Sequence, residues 1–253
     1  MADRAVVAAA LRAAGCVFAE EEAALLLDAA DSPAALAALV ARRVAGLPLE
    51  QVLGWAGFCG LRISVDPGVF VPRRRTELLV AQAVALARPG AVVVDLCCGS
   101  GAVGAALAAA VGAIELHAAD VDPVAVRCAR RNVAGAVHEG DLYAALPEAL
   151  LGRVDVLVVN APYVPTGSIR LLPPEARLHE PRATLDGGAD GLAVGRRVVA
   201  SAPRWLAPGG ALLIETSTEQ AARTAAAFTR SGLVPRVVDS AEPAATVVVG
   251  TRS

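Results

Sequence analysis

Apolar positions along the chain fall into two regimes. Up to about residue 55 they recur at helical spacing. Val6, Leu11 and Val17 mark one predicted helix, and EEEAALLLDAA supplies a second. The third carries clear boundary signals: Ser32 as N-cap, Pro33 in the first turn, Leu36, Leu39, Val40 and Val44 on one face, and Gly46 as the stop. GFCGLRISVDPGVFVP then reads as two short strands about a turn at Asp66-Pro67-Gly68.

From Thr76 onward strand and helix alternate. A helix opens at Thr76-Glu77 and ends before Pro89-Gly90. The strands AVVVDL, IELHAA, a short one near Val137, VDVLVV and GALLIET are separated by helices, among them PVAVRCARRN and GRRVVASAPRWL. Continuous apolar strands between helices predict an α/β fold with a mostly parallel sheet covered on both faces. A helix from about Glu219 leads to VPRVVD and ATVVVGT, whose short connection makes one of the last two strands antiparallel. The chain thus divides into a helical N-terminal domain (1–55), a β-hairpin linker (56–75) and a larger α/β domain (76–253).

Composition narrows the class. The 253 residues are 55% apolar but only 3% aromatic, so the core is built from Ala, Val and Leu. No apolar run reaches the roughly 20 residues that span a bilayer. MADRAVVAAALRAAG carries Asp3 and Arg12 and reads as helix rather than signal peptide, so the expected location is cytoplasmic, with no membrane partner. All 23 basic residues are arginine, and the net charge of −2 gives no basic balance toward nucleic acid. The pairs Arg42-Arg43, Arg130-Arg131 and Arg196-Arg197 read as solvated helix faces. The five cysteines are an odd count, which argues against a disulfide framework, and they show no CxxC pair and no His at ligand spacing, which argues against a metal site.

Four segments carry chemistry. VVVDLCCGSGAVGAAL is a strand, a glycine-rich loop and a helix start, where backbone amides approach a ligand closely and the helix N-terminus favours negative charge. Gly99, Gly101 and Gly104 match GxGxxG, a loop that nucleotide-derived cofactors of several kinds share. Asp120 ends the next strand, where a carboxylate accepts both hydroxyls of a ribose; Asp122 reads as the cap of the helix that Pro123 opens. Asp141, after the third strand, is placed either to accept from an adenine amino group, with Leu142 against the ring, or to cap a helix. Asn160-Ala161-Pro162-Tyr163 ends the fourth strand on the side where open α/β sheets bind ligands. There the Asn160 side-chain oxygen and the Ala161 carbonyl accept both N–H bonds of a planar amide or amine, with Tyr163 as one wall.

The series VDLCCGSG, ADVDP, GDLY and VVNAPY resembles class I S-adenosylmethionine-dependent methyltransferases, with their Rossmann-like sheet. More narrowly, the chain is similar over nearly its whole length to the protein N5-glutamine methyltransferases that modify peptide chain release factors. VFVPRRRTELLV, HEPRATLDGGADGL and ARRVAGLPLEQVLG resemble further segments of that family. The resemblance implies S-adenosylmethionine as cofactor, a release factor as protein partner and a substrate-recognition role for the N-terminal helices. It also implies that Asp95 and the loop Cys97, Cys98, Gly99, Ser100 and Gly101 face the methionine part of the cofactor. Asp120 would bind the ribose and Asp141 with Leu142 the adenine, and Asn160 would meet both cofactor and acceptor. Asn160, Ala161, Pro162 and Tyr163 form the expected catalytic set. Arg73 and Thr76-Glu77 match a family segment that a loop and N-cap role explains equally, and they stay outside that set.

The chain departs from the family pattern in three places. Ala161 replaces the first proline of Asn-Pro-Pro-Tyr, which removes its rigidity. Cys97 replaces the first loop glycine, which penalises a positive φ there. Leu142 stands where an aromatic often lies. Three other readings remain beside the main one: a nucleobase or small-molecule nitrogen as acceptor, a nicotinamide-dependent oxidoreductase, and a binding protein without activity. The oxidoreductase reading lacks a Tyr-x-x-x-Lys, there being no lysine.

Overall fold

The computed structural model describes residues 3–253. Four helices come first: α1 (Arg4–Ala13), α2 (Ala19–Ala29), α3 (Pro33–Val44) and α4 (Leu49–Leu53). They close over a core of Val7, Leu11, Leu26, Leu36 and Val52. The Ser32 hydroxyl caps α3 by accepting from Ala35 N at 3.1 Å, and Gly46 (φ +94°) follows its end. The first helix stops at Ala13 instead of running to Val17, because Gly15 turns the chain with φ +91°. Val17 is left exposed.

Within α3 the inward face also differs from the apolar stripe. Val44 is exposed, and Arg43 is the buried residue. Its guanidinium donates to Glu22 on α2 through Nε (2.6 Å) and Nη2 (3.0 Å). A bidentate carboxylate offsets the cost of burying that charge. Arg42 is likewise engaged, donating to the Gln51 carbonyl at 2.9 Å.

The hairpin forms one step earlier in sequence than its turn residues suggest. Strands β1 (Trp55–Phe58) and β2 (Leu61–Ser64) pair antiparallel about Cys59-Gly60. Both turn residues have positive φ, +49° and +75°, the combination whose twist matches paired strands. Asp66-Pro67-Gly68 does make a turn, with Val69 N donating to Asp66 O at 3.1 Å, but the next stretch stays unpaired with any strand. Val71 N donates instead to the Glu180 carboxylate at 3.3 Å.

Helix α5 (Glu77–Val84) leads into a seven-stranded sheet made of β3 (Val92–Leu96), β4 (Glu115–Asp120), β5 (Ala136–Glu139), β6 (Val154–Val159), β7 (Leu206–Thr216), β8 (Leu233–Ala241) and β9 (Ala244–Arg252). The spatial order is β5-β4-β3-β6-β7-β9-β8. Only β9 runs against its neighbours, pairing antiparallel with both β7 and β8. Helices α6 (Ala102–Val111) and α7 (Pro123–Asn132) help α5 bury one face, around Val93, Leu107, Val158 and Leu213. A short helix α8 (Pro174–His179) lies in the segment before α9 (Ala193–Trp205); α9 and α10 (Thr218–Arg230) cover the other face, around Val94, Leu157, Val198 and Phe228. The chain runs outward from β3 through β4 to β5 and then returns to β6 on the other side of β3, so the strand order reverses there and a crevice opens at the carboxyl ends. Among the described residues no helix is long and apolar enough to cross a membrane.

Candidate active site

The loop after β3 is forced into a left-handed zigzag: Cys97, Gly99 and Gly101 have φ of +57°, +55° and +76°. Glycine adopts this freely; Cys97 does so against a steric cost of roughly 1–2 kcal/mol. The two glycines serve different ends. Gly99 faces the crevice, whereas a Cβ on Gly101 would lie 2.5 Å from Val133 Cγ2, so Gly101 packs the loop onto the end of α7.

Two carboxylates fix this loop. Asp95, 2% exposed, accepts from Gly104 N at 2.9 Å and so ties β3 to the first turn of α6. Burial, opposed by that bond and reinforced by the nearby Asp120, pushes its pKa up to about 7. Asp120, at the end of β4, accepts from Gly99 N through Oδ2 (2.8 Å) and from Asp122 N through Oδ1 (3.0 Å). Burial raises its pKa too. Asp122 caps α7 by accepting from Val124 N at 2.8 Å.

Together these elements wall a cleft enclosing roughly 1170 Å³ of free space, part of it open to solvent. Asp95, Cys97, Cys98, Gly99, Ser100, Asp120, Asp141, Leu142, Asn160 and Pro162 all line it. The Asp141 side chain caps no helix; it accepts from Arg197 Nη2 of α9 at 2.5 Å, and Arg197 also lines the cleft. Leu142 takes a positive φ of +51°. Phe70, Pro72, Thr76, Pro181, Ala183 and Thr184 complete the lining.

The corner after β6 is braced from behind. Ala161 and Tyr163 face a separate small apolar cavity with Val199, Ile214 and Ala227, away from the cleft. Asn160 Nδ2 donates to Thr76 Oγ1 at 3.3 Å. The hydrogen bonds among the described residues leave Asn160 Oδ1 and the Ala161 carbonyl without a donor. Gln220 of α10 donates to the Tyr163 carbonyl at 2.9 Å. The Tyr163 hydroxyl donates to Glu215 Oε1 of β7 at 3.2 Å; burial and that carboxylate raise the phenol pKa.

GGADGL packs directly under the same corner. Val164 N donates to Leu185 O (3.0 Å) and Gly187 N to Val164 O (2.8 Å). A side chain on Gly187 would lie 2.7 Å from the Pro162 carbonyl, and one on Gly191 would overlap the Tyr163 carbonyl. Both positions must therefore be glycine for a purely local reason.

Two of the three consecutive arginines make structural bonds. Arg73 donates to the buried Glu180 at 2.6 Å and Arg75 to the buried Glu215 at 3.3 Å. Thr76, Arg75, Glu180, Glu215 and Gln220 are side chains at the site that the set expected from sequence does not include. The bonds just described that hold them to Asn160, Arg73 and Tyr163, and Arg75 to Glu215, span 52 to 140 residues of chain.

The cleft fits a nucleoside-bearing sulfonium compound. Each Asp120 oxygen accepts one N–H and retains lone pairs beside the cavity for hydroxyl donors. The backbone at Gly99 and Gly140 lines the wall without side chains, and the acid group of Asp95 is part of the lining.

Comparison with known proteins agrees with this geometry. A family model described as the methyltransferase small domain matches residues 60–172. The release factor glutamine methyltransferase of Geobacter sulfurreducens is 41% identical over 204 residues, 79% of this chain and 71% of that one. That of Mycolicibacterium smegmatis is 45% identical over 209 residues, covering 79% and 73%. A 4-amino-L-phenylalanine/4-methylamino-L-phenylalanine methyltransferase of Streptomyces pristinaespiralis is 40% identical over 203 residues, covering 76% and 69%. Among solved structures, a methyltransferase from Pyrococcus furiosus superposes with a TM-score of 0.58 at 16% identity, covering 84% of this chain and 97% of that one. The T. thermophilus 16S rRNA N2 G1207 methyltransferase, solved with AdoMet and guanosine, gives 0.57 at 21% identity, covering 79% and 50%. At these identities the structural likeness concerns the fold alone.

Proposed function

The chain belongs to the release factor glutamine methyltransferase family, and from that premise we propose that it methylates the N5 nitrogen of a glutamine side chain in a peptide chain release factor. S-adenosylmethionine bound in the cleft supplies an electrophilic methyl group on a sulfonium. Asp120 holds the ribose hydroxyls, Asp141 and Leu142 the adenine end, and the loop from Cys97 to Ser100 the methionine part. Asn160 Oδ1 and the Ala161 carbonyl accept the two N–H bonds of the glutamine amide, which turns the nitrogen toward the methyl group.

An amide nitrogen is a weak nucleophile, since its lone pair is delocalised. Orientation and stabilisation of the positive charge that develops on nitrogen therefore supply most of the rate. The observation that carries the reading is the pair of acceptors left without a donor at Asn160 and Ala161, just past the carboxyl end of β6, of which Asn160 lines the cleft.

Labelled methyl transfer tests it. Asn160→Ala should lower turnover at least about a hundredfold, as loss of one charge-stabilising group does elsewhere. Cofactor affinity should change far less. Turnover retained in that variant would remove Asn160 from the chemistry. The relative that methylates 4-amino-L-phenylalanine supports a second acceptor, an aryl amine, and the same assay with that amino acid separates the two.

A further inference from the structure

Thr76 stands directly before α5, where a threonine ordinarily accepts a hydrogen bond as N-cap. It does not do so. Its backbone is already helical (φ −68°, ψ −12°) and its side chain makes no cap bond. The residue is 2% exposed, and its hydroxyl oxygen accepts from Asn160 Nδ2 at 3.3 Å, 84 residues further along the chain.

A polar side chain at the lip of a cleft stays in one place only if a partner holds it, and a threonine hydroxyl can do so because it both donates and accepts. With Nδ2 bonded to Thr76, Oδ1 is the end left for an incoming N–H donor. We infer that Thr76 is a positioning residue that holds the Asn160 amide in place. The consequence for rate rests on the proposed methyl transfer; the orientation itself does not.

The anchor behind Thr76 is stiff. Thr76 N donates to Arg73 O at 2.9 Å, and the flanking Arg73 and Arg75 are held by the buried carboxylates of Glu180 and Glu215. Phe70, Pro72, Thr76 and Asn160 all line the cleft, so the turn that shapes the cleft also holds Asn160.

The test pairs Thr76→Val, which keeps the shape and loses the hydroxyl, with Thr76→Ser, which keeps the hydroxyl. In ¹⁵N-labelled protein the Asn160 side-chain amide, assigned by its loss in Asn160→Asp, should show a proton slowed in exchange. Thr76→Val should abolish that protection and Thr76→Ser retain it. With methyl transfer as second readout, Thr76→Val should lower kcat roughly tenfold, the scale of one hydrogen bond. Cofactor affinity should stay within about twofold and Thr76→Ser should restore most of the rate. Unchanged amide signals in Thr76→Val would overturn the assignment whatever the turnover. Altered signals with unaltered kcat would uphold the contact and overturn its consequence for rate. A native protein that methylates no acceptor would defeat the proposed reaction, and the amide signals would still decide whether Thr76 orients Asn160.

Discussion

The Tyr163 hydroxyl donates to Glu215 Oε1 at 3.2 Å, and the same oxygen accepts from Arg75 Nε at 3.3 Å. One buried carboxylate on β7 thereby joins the aromatic end of the corner to the turn that also holds Asn160. Glu215 is outside the cleft lining, so its influence passes through Tyr163 and Arg75. Tyr163→Phe removes one hydrogen bond and should lower stability by about 1 kcal/mol. Glu215→Ala releases both partners and should lower kcat more than Tyr163→Phe does, with cofactor affinity unchanged. Equal kcat in the two variants would show that the carboxylate adds nothing beyond the tyrosine contact.

Asp95 makes the cleft sensitive to pH. Its folded pKa, raised to about 7 by burial, exceeds the unfolded value of about 4. The folded apo protein therefore binds more protons than the unfolded chain between those values. Stability contributed by Asp95 is full below pH 4 and is lost as pH rises through about 7. Cofactor binding has the opposite sign, because a cationic sulfonium favours the ionised carboxylate. Affinity for S-adenosylmethionine should rise roughly tenfold between pH 6 and 8, and that for the uncharged thioether product much less. Asp95→Asn should flatten the difference. Titration calorimetry across that range checks the slope.

Gly191 combines a φ of +76° with backbone contact to the corner. Gly191→Ala brings a methyl group against the Tyr163 carbonyl and Gln220 Nε2, so the corner or α10 must shift. The variant should lose about 2 kcal/mol in stability and a large part of its turnover. Gly195→Ala, where a Cβ would meet nothing within 4 Å on the same stretch, should be near neutral. Thermal unfolding of the two variants, alongside turnover, distinguishes a local brace from general fragility.

Much of the architecture was legible because periodicity and local chemistry coincide. The buried strands β3, β6 and β7 are built around the apolar runs 92–94, 156–159 and 211–214, and α7 begins and ends where Pro123 and Asn132 suggest. The glycine loop, Asp120 and Asn160 follow from their positions at strand ends. What stayed hidden depends on distant partners or unusual dihedrals. Arg43 looks like a solvated residue until Glu22, 21 positions earlier, is seen to receive it. Cys59 occupies a positive φ that its residue type disfavours, so the sequence points to Asp66-Pro67-Gly68 as the hairpin turn instead. Arg131 donates to Asp66 across the same region (2.7 Å), and Arg197 reaches Asp141 over the cleft. The roles of Thr76 and Gln220 exist only once β6, α5 and α10 are packed together.

Methyl transfer from labelled S-adenosylmethionine to a purified release factor tests the central claim most directly, run beside a variant with its Gly-Gly-Gln glutamine replaced. Label on the native factor and none on the variant is the predicted result. Equal labelling of both, or none on either while S-adenosylmethionine still binds, would contradict glutamine in a release factor as the acceptor.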